Sequence, residues 1–175
     1  MATNPEDAEI ARLIRLRKEL PKNWERRLRR VKADRDFKHL RSSIIIQTGE
    51  GQFRILLRQG RIDKADFSVV LGFLSKTKDS RWFRLKRYNG LHPPLGFHRN
   101  RIEKTRIQGF HIHTATLRYQ QRTPKEEGFA EPTTAYVDLW TELNLMIAEC
   151  GFVKPAKPDV ENDQLLLFRT HGDQR

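Results

Sequence analysis

Two histidines at strand spacing, His111 and His113, stand in the segment 106-RIQGFHIHTATLRYQQR-122. Successive side chains of an extended strand alternate between its two faces, so both imidazoles project to one side while Phe110 and Ile112 project to the other. Because Phe110 and Ile112 are typical core residues, we expect the histidines on the wetter face of the sheet. An imidazole pair on a strongly basic protein indicates phosphodiester chemistry, phosphate binding or a metal site, and the sequence leaves all three interpretations open.

The first interpretation is metal-free cleavage of RNA. The pKa of histidine lies near neutrality, so one ring can accept a proton while the other donates one. The 2′-hydroxyl of RNA supplies the nucleophile, and Arg84 could stabilise the charge that accumulates on the phosphoryl oxygens. On this interpretation the catalytic residues are His111, His113, Arg118 and Tyr119.

The second interpretation is a metal site. A His-x-His pair on a strand presents two nitrogens to one ion, and His92, His98, Glu103 or Glu131 could complete the ligand set. No spacing typical of a zinc finger is present, and two ligands alone are a weak signal. We therefore predict a site without metal or cofactor and keep the metal as an alternative. The third interpretation is structural: the histidine pair forms hydrogen bonds to neighbouring strands and does nothing else.

The charge balance predicts a polyanionic partner. The chain of 175 residues has 34 lysines and arginines against 22 aspartates and glutamates, which gives a formal net charge of +12. Its isoelectric point is about 10.3. Nucleic acid is the commonest polyanion that a small basic protein binds, so we predict a nucleic-acid partner, with RNA favoured.

Basic residues at two places are the candidate nucleic-acid-binding residues. One set follows Pro21 on a predicted helix: Arg26, Arg27, Arg29 and Arg30. The other set lies on two predicted strands: Arg54, Arg58, Arg84 and Lys86. The even separation within each strand predicts that each pair shares a face, where the pairs could form a basic groove together with the histidines. The alternative for the helix is a solvated surface with intrahelical ion pairs.

Cysteine content and segment hydropathy predict the compartment. The single cysteine, Cys150, excludes an internal disulfide and fits a reducing environment. The N-terminal residues lack the basic-then-apolar pattern of a signal peptide, and no apolar run approaches membrane-spanning length. We therefore expect a cytoplasmic protein that makes no contact with a membrane.

The periodicity of apolar residues predicts helices at both ends of the chain and strands between them. Residues 4–20 have an apolar stripe at helical spacing (Ile10, Leu13, Ile14 and Leu20), and residues 22–41 continue as a basic helix. Strands are predicted at 43–48, 52–59, 66–74, 81–89 and 107–119. Residues 133–150 return to helical spacing with Thr133 or Thr134 as the cap, and 164–168 could form an edge strand.

These elements predict an α+β fold. We expect an N-terminal helical arm, a curved antiparallel sheet of about five strands, and one C-terminal helix packed on a face of the sheet. The predicted organisation is a basic helical arm at residues 1–41 and an α+β domain at residues 42–175.

A resemblance to known families covers roughly residues 81–150. From RWFRLKRYNG (81–90) through FHIHTATLRYQ (110–120) to AEPTTAYVDLW (130–140), the chain resembles small prokaryotic families carried on phages, plasmids and defence islands. Its Arg-x-Asn-Gly segment followed by His-x-His on a strand is also similar to the small toxins of TumE-type toxin–antitoxin pairs. Those toxins carry a histidine cluster after an Asp-Asn turn, where this chain has Asn89-Gly90. The resemblance implies a mobile-element or defence setting and an RNA target.

Together these observations predict a nucleic-acid-directed protein with metal-independent, toxin-like ribonuclease activity. One alternative is a non-catalytic nucleic-acid-binding subunit or accessory factor of a phage or defence ribonucleoprotein. Another is a protein-binding inhibitor that docks its N-terminal helix, through Ile10, Leu13 and Ile14, on an acidic partner. Whether the protein is an enzyme is left open by the sequence.

Overall fold

The computed structural model describes residues 5–35, 37–75, 81–91, 96–123 and 125–156. His92, the predicted edge strand at 164–168 and the end of the chain lie outside the described residues. Within them the helices are α1 (Asp7–Arg15), α2 (Trp24–Arg29), α3 (Leu117–Arg122) and α4 (Leu139–Glu149). No helix in this part of the chain is both long enough and apolar enough to cross a membrane.

The main sheet has seven strands, all antiparallel to their neighbours. Its members are β2 (Lys32–Ala33), β3 (His39–Gln47), β4 (Gly51–Gly60), β5 (Phe67–Ser75), β6 (Phe83–Asn89), β9 (His111–Thr114) and β10 (Phe129–Pro132). They follow the spatial order β10-β9-β6-β5-β4-β3-β2. The predicted α+β class with an antiparallel sheet is confirmed, whereas the predicted count of about five strands is wrong, because short strands β2 and β10 extend the sheet at both edges.

Four further strands form two small sheets. β7 (Phe97–Arg99) and β8 (Arg106–Gln108) pair as an antiparallel hairpin; β7 lies where the sequence predicts no strand, and β8 overlaps the start of the strand predicted at 107–119. β1 (Lys18–Glu19) pairs in parallel with β11 (Phe152–Val153), which joins the two ends of the described chain.

Three helices cover one face of the main sheet. Side chains from α1, α2 and α4 belong to the same buried cluster as the inward-facing residues of the central strands, among them Phe53, Ile55 and Leu71. The alternating burial along β3 and β4 reflects this one-sided packing, because every second residue faces the helices. Residues 1–41, assigned by the sequence to a helical arm, thus supply Ile10 and Leu28 to the common core.

The two N-terminal helices are shorter than the sequence predicts. α1 ends at Arg15 because the following residues pair with β11, and the Lys18 amide donates to the Gly151 carbonyl oxygen at 2.9 Å. α2 spans six residues. The chain then reverses at Asp34, whose carboxylate accepts a hydrogen bond from the His39 amide at 3.1 Å, and β2 pairs with β3.

The C-terminal helix begins later than predicted. Residues 129–132 pair with β9 as a strand, so the helix cannot start at Thr133 or Thr134. Its N-cap is Asp138, whose carboxylate accepts from the Thr141 amide at 2.8 Å, while the Thr141 hydroxyl accepts from the Asp138 amide at 3.1 Å. This reciprocal capping box satisfies two main-chain donors that would otherwise lack partners.

Gly151 is required where β1 meets the end of α4. Its φ is +69°, and a Cβ there would lie 2.4 Å from the Arg15 carbonyl oxygen. Gly109 has a similar φ of +80°, with no atom within 4 Å of a built Cβ. We expect Gly151→Ala to lower the free energy of unfolding by about 2 kcal/mol more than Gly109→Ala does, since only the first adds a clash to the backbone cost. Urea denaturation of both variants measures the difference, and equal losses would contradict this close approach.

Candidate histidine site and open sheet face

The face of the main sheet opposite α1, α2 and α4, hereafter the open face, carries three rows of side chains. Residues directly paired across neighbouring strands share a face, so the strand register defines each row. The first row is Arg41, Arg58, Ser68, Asn89, His111 and Pro132. The second is Ser43, Leu56, Val70, Arg87, His113 and Ala130. The third is Ile45, Arg54, Gly72 and Arg84.

Six of the residues singled out from the sequence lie on strands of the main sheet, and the register brings five of them to the open face. The residues on the open face are Arg54, Arg58, Arg84, His111 and His113. Lys86 lies on the helix-covered face, where its ammonium contacts Glu149 of α4 at 3.2 Å. The even spacing from Arg84 to Lys86 fails to keep the pair on one face because a register shift between Leu71 and Gly72 inserts an extra residue into β6.

The two strand histidines are buried, which corrects the expectation of a wet face. His111 is 1% exposed and His113 is 5% exposed. The β7–β8 hairpin covers this end of the open face, and Asn100 fixes it there through paired hydrogen bonds of 2.9 Å with the main-chain N–H and carbonyl of Ala130. The residues that follow α3 complete the cover, since His113 contacts the Glu127 carbonyl oxygen at 2.8 Å.

His98 of β7 joins His111 and His113 to form a histidine trio. The ring centroids of His98 and His113 are 4.5 Å apart, those of His111 and His113 5.0 Å, and those of His98 and His111 5.3 Å. One ring nitrogen from each residue lies within 4.8 Å of the others. The sequence named His98 as one of four residues that could complete a ligand set, and the fold places it beside the pair.

Main-chain carbonyls hold one nitrogen of every ring in the trio. His111 Nδ1 lies 2.8 Å from the Gly109 oxygen, His113 Nδ1 lies 2.8 Å from the Glu127 oxygen, and His98 Nε2 lies 3.1 Å from the Gly128 oxygen. A carbonyl only accepts, so these three nitrogens are the ones that carry hydrogen in the neutral rings. The lone pair of each neutral ring is then on its other nitrogen, and in His111 that atom is 3.2 Å from the Asn89 amide nitrogen.

Burial keeps His98 and His113 neutral. Desolvation, together with the charge of Arg87, lowers the pKa of His113 to about 2, and desolvation also lowers the pKa of His98. A ring with such a low pKa is neutral at pH 7: it keeps only the N–H that it donates to a main-chain carbonyl and lacks the second proton that a general acid gives up. The structure therefore does not favour the acid–base pairing of His111 with His113 on which the metal-free cleavage mechanism depends.

Three polar residues beside the trio, Arg87, Asn89 and Glu127, were not among the predicted site residues, although Arg87 and Asn89 belong to the Arg-x-Asn-Gly segment. Arg87 donates from Nε to the Asn89 side-chain oxygen at 2.8 Å, and burial lowers the pKa of its guanidinium. Glu127 is 1% exposed and accepts from Arg84 at 2.8 Å through Oε1, while Oε2 is buried without a hydrogen-bond partner among the described residues. The alternation of Arg87 and Asn89 around Tyr88 was the available sequence signal.

Arg118 and Tyr119 lie on α3 instead of continuing the strand of His111 and His113. The Tyr119 hydroxyl donates to Glu103 at 2.6 Å, and Arg118 forms an ion pair with the same carboxylate. No hydrogen bond or ion pair within the described ranges joins either residue to the trio. Glu103 is thus held by α3, and Glu131 pairs with Ile112, which places it on the face opposite the trio.

The basic residues of α2 lie on the other side of the sheet from the open face. Arg26, Arg27, Arg29 and Arg30 are exposed. α2 packs on the helix-covered face through Trp24 and Leu28, and the Arg29 guanidinium lies 4.2 Å from the Trp140 ring centre of α4. The two predicted nucleic-acid-binding sets therefore form two separate surfaces.

Buried carboxylates orient several open-face arginines. Arg41 pairs with Asp34 at 3.3 Å, Arg58 with Asp66 at 3.3 Å and Arg84 with Glu127 at 2.8 Å. In each pair the arginine side chain is the more exposed partner, as in Arg84 at 47% against Glu127 at 1%. Each acid therefore holds a guanidinium that remains partly exposed to solvent.

No family model matches the chain, and neither the curated proteins nor the solved structures contain a match to it.

Proposed function

We propose that this protein binds single-stranded nucleic acid, with RNA favoured, on the open face of its main sheet. The observation that carries the proposal is the row-wise placement of Arg41, Arg54, Arg58 and Arg84 on one sheet face, against which α1, α2 and α4 do not pack. Guanidinium groups are matched to phosphate oxygens in shape and charge, and a pleated sheet spaces them along an extended strand.

An aromatic ring on the same face supports a single-stranded partner. The Arg54 guanidinium lies 4.4 Å from the Trp82 ring centre, and a Cβ built on Gly72 would be 3.4 Å from the same indole. Trp82 therefore extends over the third row of the open face. Single-stranded RNA is recognised by stacking of exposed bases on aromatic and guanidinium planes, and an indole beside an arginine offers both.

Electrostatics distinguish the two basic surfaces. Arg54 has no carboxylate partner among the described residues, and the Arg41, Arg58 and Arg84 groups are oriented by acids below them. Fixed donors lose little conformational entropy on binding. The exposed α2 arginines add to the long-range field that attracts a polyanion, and the open face makes the contacts.

Burial of α1 removes the basis of the inhibitor hypothesis. Ile10, Leu13 and Ile14, which were expected to dock on an acidic partner, are at most 9% exposed and belong to the core. The apolar stripe of this helix is already occupied by the protein's own sheet.

We expect Arg41→Gln/Arg54→Gln to weaken binding of a labelled single-stranded RNA of mixed sequence. Each phosphate contact on a single strand contributes about 0.7 to the magnitude of the slope of log K against log salt. Loss of two contacts should therefore reduce the magnitude of this slope by about 1.4. Fluorescence anisotropy across a salt series measures both affinity and slope. These two arginines leave no buried carboxylate unpaired when replaced, since Asp34 keeps His39 at 3.1 Å.

The matched control is Arg26→Gln/Arg27→Gln on α2, which removes the same charge from the other surface. It should weaken binding less than the open-face variant does. A larger loss of RNA affinity in the α2 variant would place the RNA-binding surface on the helix-covered side of the sheet. Absence of RNA binding by the wild type at low salt would overturn the proposal. The titration is run in excess chelator, and the RNA is examined on a gel afterwards to separate binding from cleavage. We expect RNA that is bound by the protein and remains intact.

A further inference from the structure

We propose that His98, His111 and His113 bind one divalent transition-metal ion of the zinc class. The proposal goes beyond RNA binding and stands without it. Three imidazoles from two separate sheets converge in a region of low exposure, with one nitrogen of each within 4.8 Å of the others. Three histidine nitrogens are an established ligand set for zinc.

The hydrogen bonds of the trio set the tautomers that a metal requires. In each ring one nitrogen donates to a main-chain carbonyl, of Gly109, Glu127 or Gly128, at 2.8–3.1 Å. Metal-bound histidines commonly donate their second ring N–H to such an acceptor, which fixes the ring orientation and raises the basicity of the ligating nitrogen. All three rings of the trio have this outer partner.

The distances fit an ion after a small closure of the rings. Nitrogens bound to zinc at about 2.0–2.1 Å lie about 3.3 Å from one another in a tetrahedron. One nitrogen of each ring lies within 4.8 Å of the others, so binding would require the nitrogens to approach one another by up to about 1.5 Å. The ion would take the place of the hydrogen bond between the Asn89 amide and His111 Nε2, which is 3.2 Å long.

Two charged residues next to the trio, Glu127 and Arg87, bear on a cation at this position. Glu127 holds His113 through its main chain, and its buried Oε2 has no hydrogen-bond partner among the described residues. The Oε1 atom of this carboxylate is paired with Arg84 at 2.8 Å, so only Oε2 carries the free-energy cost of a buried polar atom without a partner. The Arg87 guanidinium is the opposing charge, and it is engaged by the Asn89 side chain at 2.8 Å.

The ligand chemistry selects the metal class. Neutral imidazole nitrogens favour zinc, copper, nickel and cobalt over magnesium and calcium, which prefer oxygen. Three protein ligands leave one position of a tetrahedral ion for water or another small ligand. The ion would also connect β7 to the main sheet, because His98 lies on the hairpin whereas the other two ligands lie on β9.

The first test uses wild-type protein without an affinity tag, stripped with chelator and returned to buffer. We expect one equivalent of Zn²⁺ per chain by elemental analysis after dialysis, and a rise in melting temperature when zinc is added, because ligand binding to the native state stabilises it. Replacing zinc by Co²⁺ should give the visible absorption of a four-coordinate ion with nitrogen ligands. Wild-type protein that retains no zinc and gives no cobalt spectrum would overturn the proposal.

Variants then assign the site. His98→Gln and His113→Ala should each lower zinc affinity by at least about 100-fold, since even outer partners of a ligand are worth 10–100-fold. His39→Gln is the matched control, because this histidine lies between Asp34 and Asp66, at 3.1 Å and 3.0 Å, and takes no part in the trio. Circular dichroism verifies folding of each variant. Zinc binding unchanged by either trio substitution would place the metal elsewhere and refute the assignment.

The outcomes of the metal and RNA experiments are separable. Zinc-free protein that still binds RNA through Arg41 and Arg54 supports the proposed function whatever the trio does. Protein that binds zinc at the trio and ignores RNA supports the metal site alone.

Discussion

Glu142→Met is expected to raise the free energy of unfolding at pH 7 by about 3 kcal/mol. The Glu142 side chain is fully buried between α4 and the sheet. Neither carboxyl oxygen has a partner in hydrogen-bonding geometry within the described part of the chain, although the Val69 main chain lies near it. Methionine fills similar volume without a polar group, so the substitution removes a desolvation cost at little packing cost.

The pH dependence of this effect follows from the pKa of Glu142. Burial raises this pKa well above the usual value of about 4.5, so the folded chain keeps a proton that the unfolded chain releases. Since the folded state then binds more protons, wild-type stability falls as the pH rises above about 4.5, by up to about 1.4 kcal/mol per pH unit. The advantage of the methionine variant should therefore be smallest near pH 4 and grow toward pH 7.

Urea denaturation at several pH values between 4 and 7 measures the difference between Glu142→Met and wild type. Glu25→Met is the matched control, because Glu25 is an exposed helical position on α2. The control should change stability by less than about 0.5 kcal/mol without a pH trend. A Glu142→Met advantage that is absent, or the same at pH 4 and pH 7, would contradict an unpartnered buried carboxyl.

Local periodicity was sufficient to predict much of the fold. The apolar stripe of Ile10, Leu13 and Ile14 is buried, as its helical spacing indicates. Arg54 and Arg58 lie on one face of β4, as their even spacing predicts. Periodicity fails where long-range pairing decides the outcome: residues after Arg15 leave the helix to pair with β11, and no local pattern reports that partner.

The candidate site was predictable only where local spacing decides the geometry. His111 and His113 share a face because two residues separate them, whatever the fold. Their burial depends on the β7–β8 hairpin and on Glu127, which come from other parts of the chain. The separation of Lys86 from Arg84 depends on one register shift in β6, which changes the face of every residue beyond it.

The position of Glu142 shows how a single residue can depart from its pattern. It lies on the same helical stripe as Leu139, Leu143 and Met146, where i, i+3, i+4 spacing predicts burial. A carboxyl at such a position is expected to be either partnered or protonated. The spacing places Glu142 on the buried face, and its carboxyl group makes this position one that costs stability.

Lys18→Met is expected to lower the free energy of unfolding at pH 7 by about 4 kcal/mol. Lys18 is fully buried, and its ammonium donates to the carbonyl oxygens of Ile14 at 2.9 Å, Leu16 at 2.6 Å and Cys150 at 2.9 Å. Two of these carbonyls lie at the end of α1 and the third at the end of α4. Methionine would leave three buried acceptors without a donor, each costing about 1–3 kcal/mol, partly offset by the loss of a buried charge.

The ammonium also lies 4.4 Å from the Phe53 ring centre, so Lys18 connects both helix ends to the sheet by a cation–π contact. Burial lowers the pKa of Lys18 to about 8, against a usual value of 10.5. Between these values the unfolded chain binds the proton that the folded chain has released, so the contribution of Lys18 to stability rises with pH across this interval. The deficit of Lys18→Met relative to wild type should therefore widen from pH 8 to pH 10.

Chemical denaturation of Lys18→Met and of Lys22→Met at pH 7, 8 and 10 tests both expectations. Lys22 is exposed in the same segment, so its substitution should cost less than about 0.5 kcal/mol at every pH. If Lys18→Met were as stable as wild type, the three carbonyls would have to find other donors, and the ammonium would not be what holds the ends of α1 and α4 together. A deficit that is large but constant with pH would support the role of the hydrogen bonds and contradict the lowered pKa of Lys18.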